Sequence, residues 1–226
     1  MHGCRWQSAM KGTLFKVFGI SIVIGLLGLV SAPVNICRPG KKQRERTEAM
    51  NNGRQLHLAL MDHRDRYGSF PNGETMQKIV NEKGIGSFSL VTSNDYFRVL
   101  VAGGLAYEKI GYCHYPRLPT HKPDNVISPL EQAFAKGEVG FAYVANIPPD
   151  APADTPILVA PLIPGTFQFD PKPYDGHAIV IRLDGSARSM IIRKDNGQVA
   201  IPGGFLFHPK APYWNGKVPD VKYPAR

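Results

Sequence analysis

Arg46-Thr-Glu-Ala-Met-Asn-Asn-Gly-Arg-Gln-Leu-His-Leu-Ala-Leu-Met-Asp-His-Arg-Asp-Arg-Tyr67 carries the pattern on which the fold turns. Ala49, Gly53, Leu56, Leu60 and Tyr67 recur at spacings of four, three, four and seven, which on a helix makes one apolar stripe. Met50 and Met61 widen the stripe, while Arg54, Asp62, Asp65 and Arg66 fall on the other side. Tyr67-Gly68-Ser69-Phe70-Pro71-Asn72-Gly73 then ends the helix, with glycine at its close and proline beyond. A helix with one greasy face needs an apolar surface to lie on, so the downstream chain should supply a sheet.

Upstream, residues 17–37 carry no charge between Lys16 and Arg38, and the first 18 of them are almost wholly apolar. At about 1.5 Å rise per residue they span roughly 27 Å, close to the roughly 30 Å hydrocarbon core of a bilayer. Backbone amides in lipid must pair within their own segment, so this stretch reads as a transmembrane helix. Residues 1–16 form a short basic segment, with Arg5, Lys11 and Lys16 and no acid. No small-residue cleavage site closes the apolar run, which favours an uncleaved anchor over a removed signal peptide. Pro33, Pro39 and Gly40 interrupt any helix leaving the membrane, and residues 38–46 read as a basic linker facing lipid headgroups. Residues 47–226 form the globular domain.

The chain of 226 residues has a formal charge of +9, and the distribution of that charge excludes a nucleic-acid partner. Residues 1–46 hold eight basic side chains against Glu45 alone, a net of +7, while residues 47–226 hold 19 basic and 17 acidic, a net of only +2. A phosphate-reading groove would need the excess on the folded domain. Proline (20) and glycine (23) make the domain rich in turns, while 43% apolar content argues against disorder. Of the three cysteines, Cys4 and Cys37 flank the apolar stretch and Cys113 stands alone, so no disulfide framework or thiolate metal cluster is available to the domain.

Beyond Pro71, residues 74–83 read as a short helix closed by Gly84. Residues 95–102 read as another, capped by Ser93 or Asn94 and ended by Gly103 and Gly104. Residues 108–115 resemble a strand, and a proline-rich loop follows over 116–129, with a short helix around 130–135. After Gly137 the period becomes that of sheet: strands are expected at 140–147, 157–162, 177–183, 187–193 and 198–201, with Asp184-Gly185 as a hairpin turn. The tail from 202 to 226 should wrap the surface. The order of elements is α+β, an N-terminal transmembrane helix followed by an amphipathic helix packed on an antiparallel sheet.

Two blocks of this layout resemble a known family. Glu48-Ala-Met-Asn-Asn-Gly-Arg-Gln-Leu-His-Leu-Ala-Leu60, running into Tyr67-Gly-Ser-Phe-Pro71, is similar to the post-membrane helix of type IV pilins and type II secretion pseudopilins, above all those of Planctomycetes and Verrucomicrobia. There an Asn-Asn-x-x-Gln-Leu-x-x-Ala-Leu helix enters a Gly-x-Phe-Pro turn. The second block ends on Asp184-Gly185-Ser186, where relatives carry a histidine ten positions before the aspartate and this chain has Tyr174. The resemblance implies a pilin-like head, a processing site between Gly12 and Thr13, a single pass through a bacterial inner membrane with the head periplasmic or extracellular, and other pilin-like or secretion-system proteins as partners. Lys11-Gly12-Thr13-Leu14-Phe15-Lys16-Val17 keeps the glycine and the Thr-Leu pair of a prepilin, but Val17 stands where the family has glutamate. That departure fits a membrane-anchored, pilin-derived domain better than a filament's major subunit.

Motifs for chemistry are sparse. No Gly-x-Ser-x-Gly elbow, phosphate loop, His-Glu-x-x-His or Cys-x-x-Cys occurs, so no enzyme activity and no cofactor or metal are expected. His57 and His63 are six apart rather than three or four and read as surface or helix-edge residues. Asp170, Asp175, His177 and Asp184 cluster in sequence, but three of these acids sit in Asp-Pro or Asp-Gly turns. Cys113 and His114 are neighbours on an extended segment and point to opposite faces. Tyr213, Trp214 and residues 205–207 either pack the tail onto the sheet or form an exposed aromatic patch. The second option supports an alternative reading, an anchored module that binds envelope glycans or a protein partner.

Overall fold

The computed structural model describes residues 40–115 and 121–225. The apolar stretch 17–37, Gly12 and Thr13 lie outside them, and among the described residues no helix is long and apolar enough to cross a membrane. The described chain is α+β: three α-helices and an antiparallel five-stranded sheet.

Helix α1 (Lys41–Tyr67) ends on Gly68, whose left-handed φ of 90° lets its amide donate back to the Arg64 carbonyl. Ala49, Gly53, Leu56, Leu60 and Tyr67 are all buried, Leu56 and Leu60 completely. Burying each leucine contributes about 1.5–3 kcal/mol. Asn72 caps α2 (Gly73–Lys83) by accepting from the Thr75 amide at 2.9 Å, and the Thr75 hydroxyl accepts from the Asn72 amide at 3.0 Å. α3 (Ser93–Ala102) packs beside α1 on the same side of the sheet.

The sheet runs in the order β4-β3-β2-β1-β7, comprising β1 (Ala142–Ala145), β2 (Pro156–Ala160), β3 (His177–Arg182), β4 (Ala187–Ile191) and β7 (Asp220–Lys222). A small ribbon pairs β5 (Ala200–Ile201) with β6 (Gly204–Phe205). The central strands are buried on both faces. Tyr143, Leu158, Ala160, Ile179 and Ile181 join the core under the helices. Ala142, Val144, Val159, Ala178 and Val180 point the other way, into a second core with Phe169, Leu206, Phe207, Tyr213 and Trp214. The molecule is therefore layered as helices, sheet and C-terminal coil. Helix and sheet approach closely at Gly53, where a Cβ would stand 2.8 Å from the Ile181 side chain and 3.3 Å from Phe141.

Several expectations need correction. The linker assigned to 38–46 is helical from Lys41, because Gly40 starts the helix cleanly and nothing breaks it before Ala49. His57 and His63 are buried, since their positions turn toward the core beside Leu56 and Leu60. Residues 108–115 form no strand; Glu108–Gly111 is a 3-10 turn, and the extended residues after it buries only alternate side chains, Cys113 and Tyr115, without joining the sheet. The cap of α3 is Thr92, whose amide and hydroxyl donate to Asp95 at 2.7 and 2.8 Å. Ser93 and Asn94 are buried instead. The helix expected around 130–135 is only the 3-10 turn Leu130–Gln132. The tail does more than wrap the surface: β7 pairs with β1 as an edge of the sheet.

Leu56→Ala should cost about 2–5 kcal/mol in urea unfolding of the purified chain, and Gly53→Leu about 1–3 kcal/mol through overpacking. Leu58→Ala, on the outer face of the same helix at 62% exposure, should change stability by less than about 0.5 kcal/mol.

Candidate functional site

The middle of α1 and the β3–β4 hairpin meet in space. His57 Nε2 donates to the Leu183 carbonyl at 2.9 Å, and its ring lies against Gly185, where a Cβ would be 3.3 Å from His57 Cε1. Gly185 holds φ at 77°, a conformation open to glycine, and Asp184 Oδ1 accepts from the Ser186 amide at 2.8 Å. The hydrogen bonds from Ser186 hold the Asp184 carboxyl below its usual pKa. Tyr174 is buried and donates its hydroxyl to the His114 carbonyl at 2.8 Å. The hairpin is thus a structural clamp between α1 and the sheet.

The groups weighed for catalysis do not converge. Cys113 is buried, and burial pushes its thiol up to about 12, so it stays protonated and inert. Asp175 is exposed and pairs with Lys42 at 3.1 Å, His177 Nδ1 lies 2.9 Å from the Asp175 carbonyl, and buried Asp170 accepts from the Lys172 amide at 3.0 Å. Tyr213 and Trp214 are buried too, and Trp214 Nε1 donates to the Leu206 carbonyl at 2.7 Å.

A different set of acids comes together. Among the described residues, Glu108, Asp124 and Glu138 bring three carboxylate oxygens within 4.8 Å of one another. Glu108, on the 3-10 turn after α3, and Glu138, just ahead of β1, are fully buried, while Asp124 is exposed at the rim. Glu138 accepts from the Asp124 amide at 3.1 Å and the Ala135 amide at 2.8 Å. Glu108 Oε1 accepts from the Phe134 amide at 2.9 Å, while its buried Oε2 meets no donor in good hydrogen-bonding geometry, the Asn125 amide being the backbone group nearby. Burial raises the Glu108 pKa; the Phe134 and Asn125 amides oppose the shift, and the Glu138 and Asp124 charges add to it. No lysine or arginine of the described residues lies within 4.0 Å of either glutamate, and the nearest cation-forming group is His121 Nδ1, 4.0 Å from Glu138.

Sequence reasoning missed these three acids. They lie in turns, separated by 16 and 14 residues, and match no ligand spacing. The one local signal is Glu138 itself, an acid placed between Gly137 and an apolar strand.

His63 gives the domain a pH dependence. Its Nδ1 donates to the Ser69 carbonyl at 3.0 Å, leaving Nε2 buried with no partner, and burial holds its pKa at about 4. Burial lowers His57 in the same direction. The unfolded chain takes up these protons near pH 6.5 and the folded chain does not, so stability present above pH 6.5 declines as pH falls toward 4. The slope is at most about 1.4 kcal/mol per pH unit for each ring. Urea midpoints measured between pH 7 and pH 4.5 should fall for the native chain and fall less for His63→Gln.

No family model matches the chain, and no curated protein or solved structure matches it.

Proposed function

We propose that this chain is a membrane-anchored, pilin-like structural protein that works through protein–protein contacts in a pilus-type or secretion assembly. The observation that carries the reading is α1. Of its first eight residues, 41–48, none is fully buried and only Glu45 and Arg46 are half-buried, while from Ala49 onward it is clamped against an antiparallel sheet. In sequence it follows the apolar stretch 17–37 across only Arg38-Pro39-Gly40. A helix that leaves an apolar anchor, stands partly free and then docks on a sheet is the layout that the resemblance at residues 48–71 implies. The contact of His57 with Leu183 and Gly185 gives both resembling blocks one structural purpose.

The reading places the anchor in a bacterial inner membrane and the head on its outer side, with no turnover of substrate. It is favoured over glycan binding because Tyr213 and Trp214, the aromatics that would face a sugar, are buried in the second core.

N-terminal sequencing of the protein purified from membranes tests the proposal. A mature chain beginning at methylated Thr13 is the expected result. An intact Met1 or Met10, or recovery of the full-length chain in the soluble fraction without detergent, overturns it.

A further inference from the structure

We propose that Glu108, Asp124 and Glu138 bind one divalent cation of the calcium class, which fastens the loop over residues 121–138 to the turn that follows α3. The inference is independent of the pilin-like reading.

Two fully buried glutamates with no lysine or arginine of the described residues against them are an expensive arrangement. Glu138 has both oxygens satisfied by backbone amides, so its charge is held in place. Glu108 is different: Oε1 is satisfied by Phe134, and Oε2 is buried beside the other two carboxylates. A carboxylate oxygen buried beside two further acids, with no donor in good geometry, is relieved by a positive group, and no lysine or arginine of the described residues supplies one.

The donor set selects the ion. All three donors are carboxylate oxygens, which suit calcium, magnesium or manganese rather than zinc or copper. The nearest imidazole, His121, is engaged on the backbone, with Nε2 3.0 Å from the Lys136 carbonyl. Oxygens within 4.8 Å of one another are close enough for all three to reach one ion. Calcium accepts irregular oxygen sets from flexible loops, whereas magnesium demands a near-ideal octahedron, so donors drawn from two turns favour calcium. Exposed Asp124 leaves one side of the group open to solvent, so water can complete the coordination and the ion has a way in.

The site also has a mechanical logic. Asn125 and Phe134 hold φ at 62° and 48°, and the segment between them contains only a short 3-10 turn. Its attachments include the Phe134 amide on Glu108, the Asn94 amide group, donating to the Phe134 and Ala135 carbonyls at 2.7 and 3.0 Å, and Arg98 Nε, donating to Ala133 at 2.7 Å, all at its C-terminal end. An ion between Glu108 and Asp124 would tie the far end of the loop to the same turn.

Calorimetric titration of the metal-stripped full-length chain with CaCl2 tests this. One equivalent should bind, with a rise in the thermal unfolding midpoint that EDTA reverses. Asp124→Asn, at the exposed rim and harmless to folding, and Glu108→Gln, an isostere, should each weaken binding about tenfold or more. Neither heat nor a thermal shift at about 10 mM CaCl2, above the range of weak protein calcium sites, overturns the proposal. So does calcium binding that both variants leave unchanged, because the ion then lies elsewhere. An equal response to MgCl2 overturns the assignment to calcium.

Discussion

The missing side chain at position 53 sets the geometry of the whole head. With glycine there, α1 settles against Ile181 and Phe141 at a separation that no other residue would allow undisturbed. That closeness brings Leu56 and Leu60 fully out of water and aligns the polar attachments along the same helix. Asn52 reaches the Tyr112 carbonyl at 3.0 Å, His57 reaches Leu183, and Arg66 reaches the Gly103 carbonyl at 3.1 Å. The coil after α3, the β3–β4 hairpin and the end of α3 are each tied to one rod. A helix lifted by even the width of a methyl group would lose dispersion contacts and lengthen those bonds together.

The sheet is unusual for an antiparallel one in having no wet face at its centre. β1 and β2 are buried throughout, so their sequences read as continuous apolar runs instead of an alternation. The second face is covered by irregular chain, not by helix, and its order comes from aromatic packing. Phe207 stacks near Phe167, Phe169 and Trp214, with ring centroids 5.3, 5.9 and 6.4 Å away. Coil can serve as a layer here because its polar backbone finds partners, as when the Leu206 carbonyl accepts from Trp214.

What could be read from the sequence was whatever repeats locally. The stripe from Ala49 to Tyr67, the capping glycines 68 and 84, and the Asp184-Gly185 turn all write their structure within a few residues. The strands of the meander were legible for the same reason, as short apolar runs between turn residues. What failed depends on distant partners. β7 is three residues long and becomes a strand only because β1 needs a neighbour. Residues 108–115 looked like a strand by composition, yet no strand stands beside them to pair with. Thr92 outcompeted Ser93 and Asn94 as a cap because the Ser93 amide and the Asn94 side chain are held by long-range bonds, to Tyr223 and to Phe134 and Ala225. The acidic trio is the extreme case, since its members come together only through the tertiary path of two loops.

The path of the chain at its C-terminal end has a consequence for biosynthesis. β7 completes the sheet, the Tyr223 carbonyl accepts from the Ser93 amide at 2.9 Å, and the Ala225 amide donates to Asn94 at 2.8 Å. Residues 93 and 94 therefore wait on residues translated about 130 positions later, a separation that slows folding. During most of its synthesis the polypeptide remains an unfinished thread with its second aromatic layer uncovered.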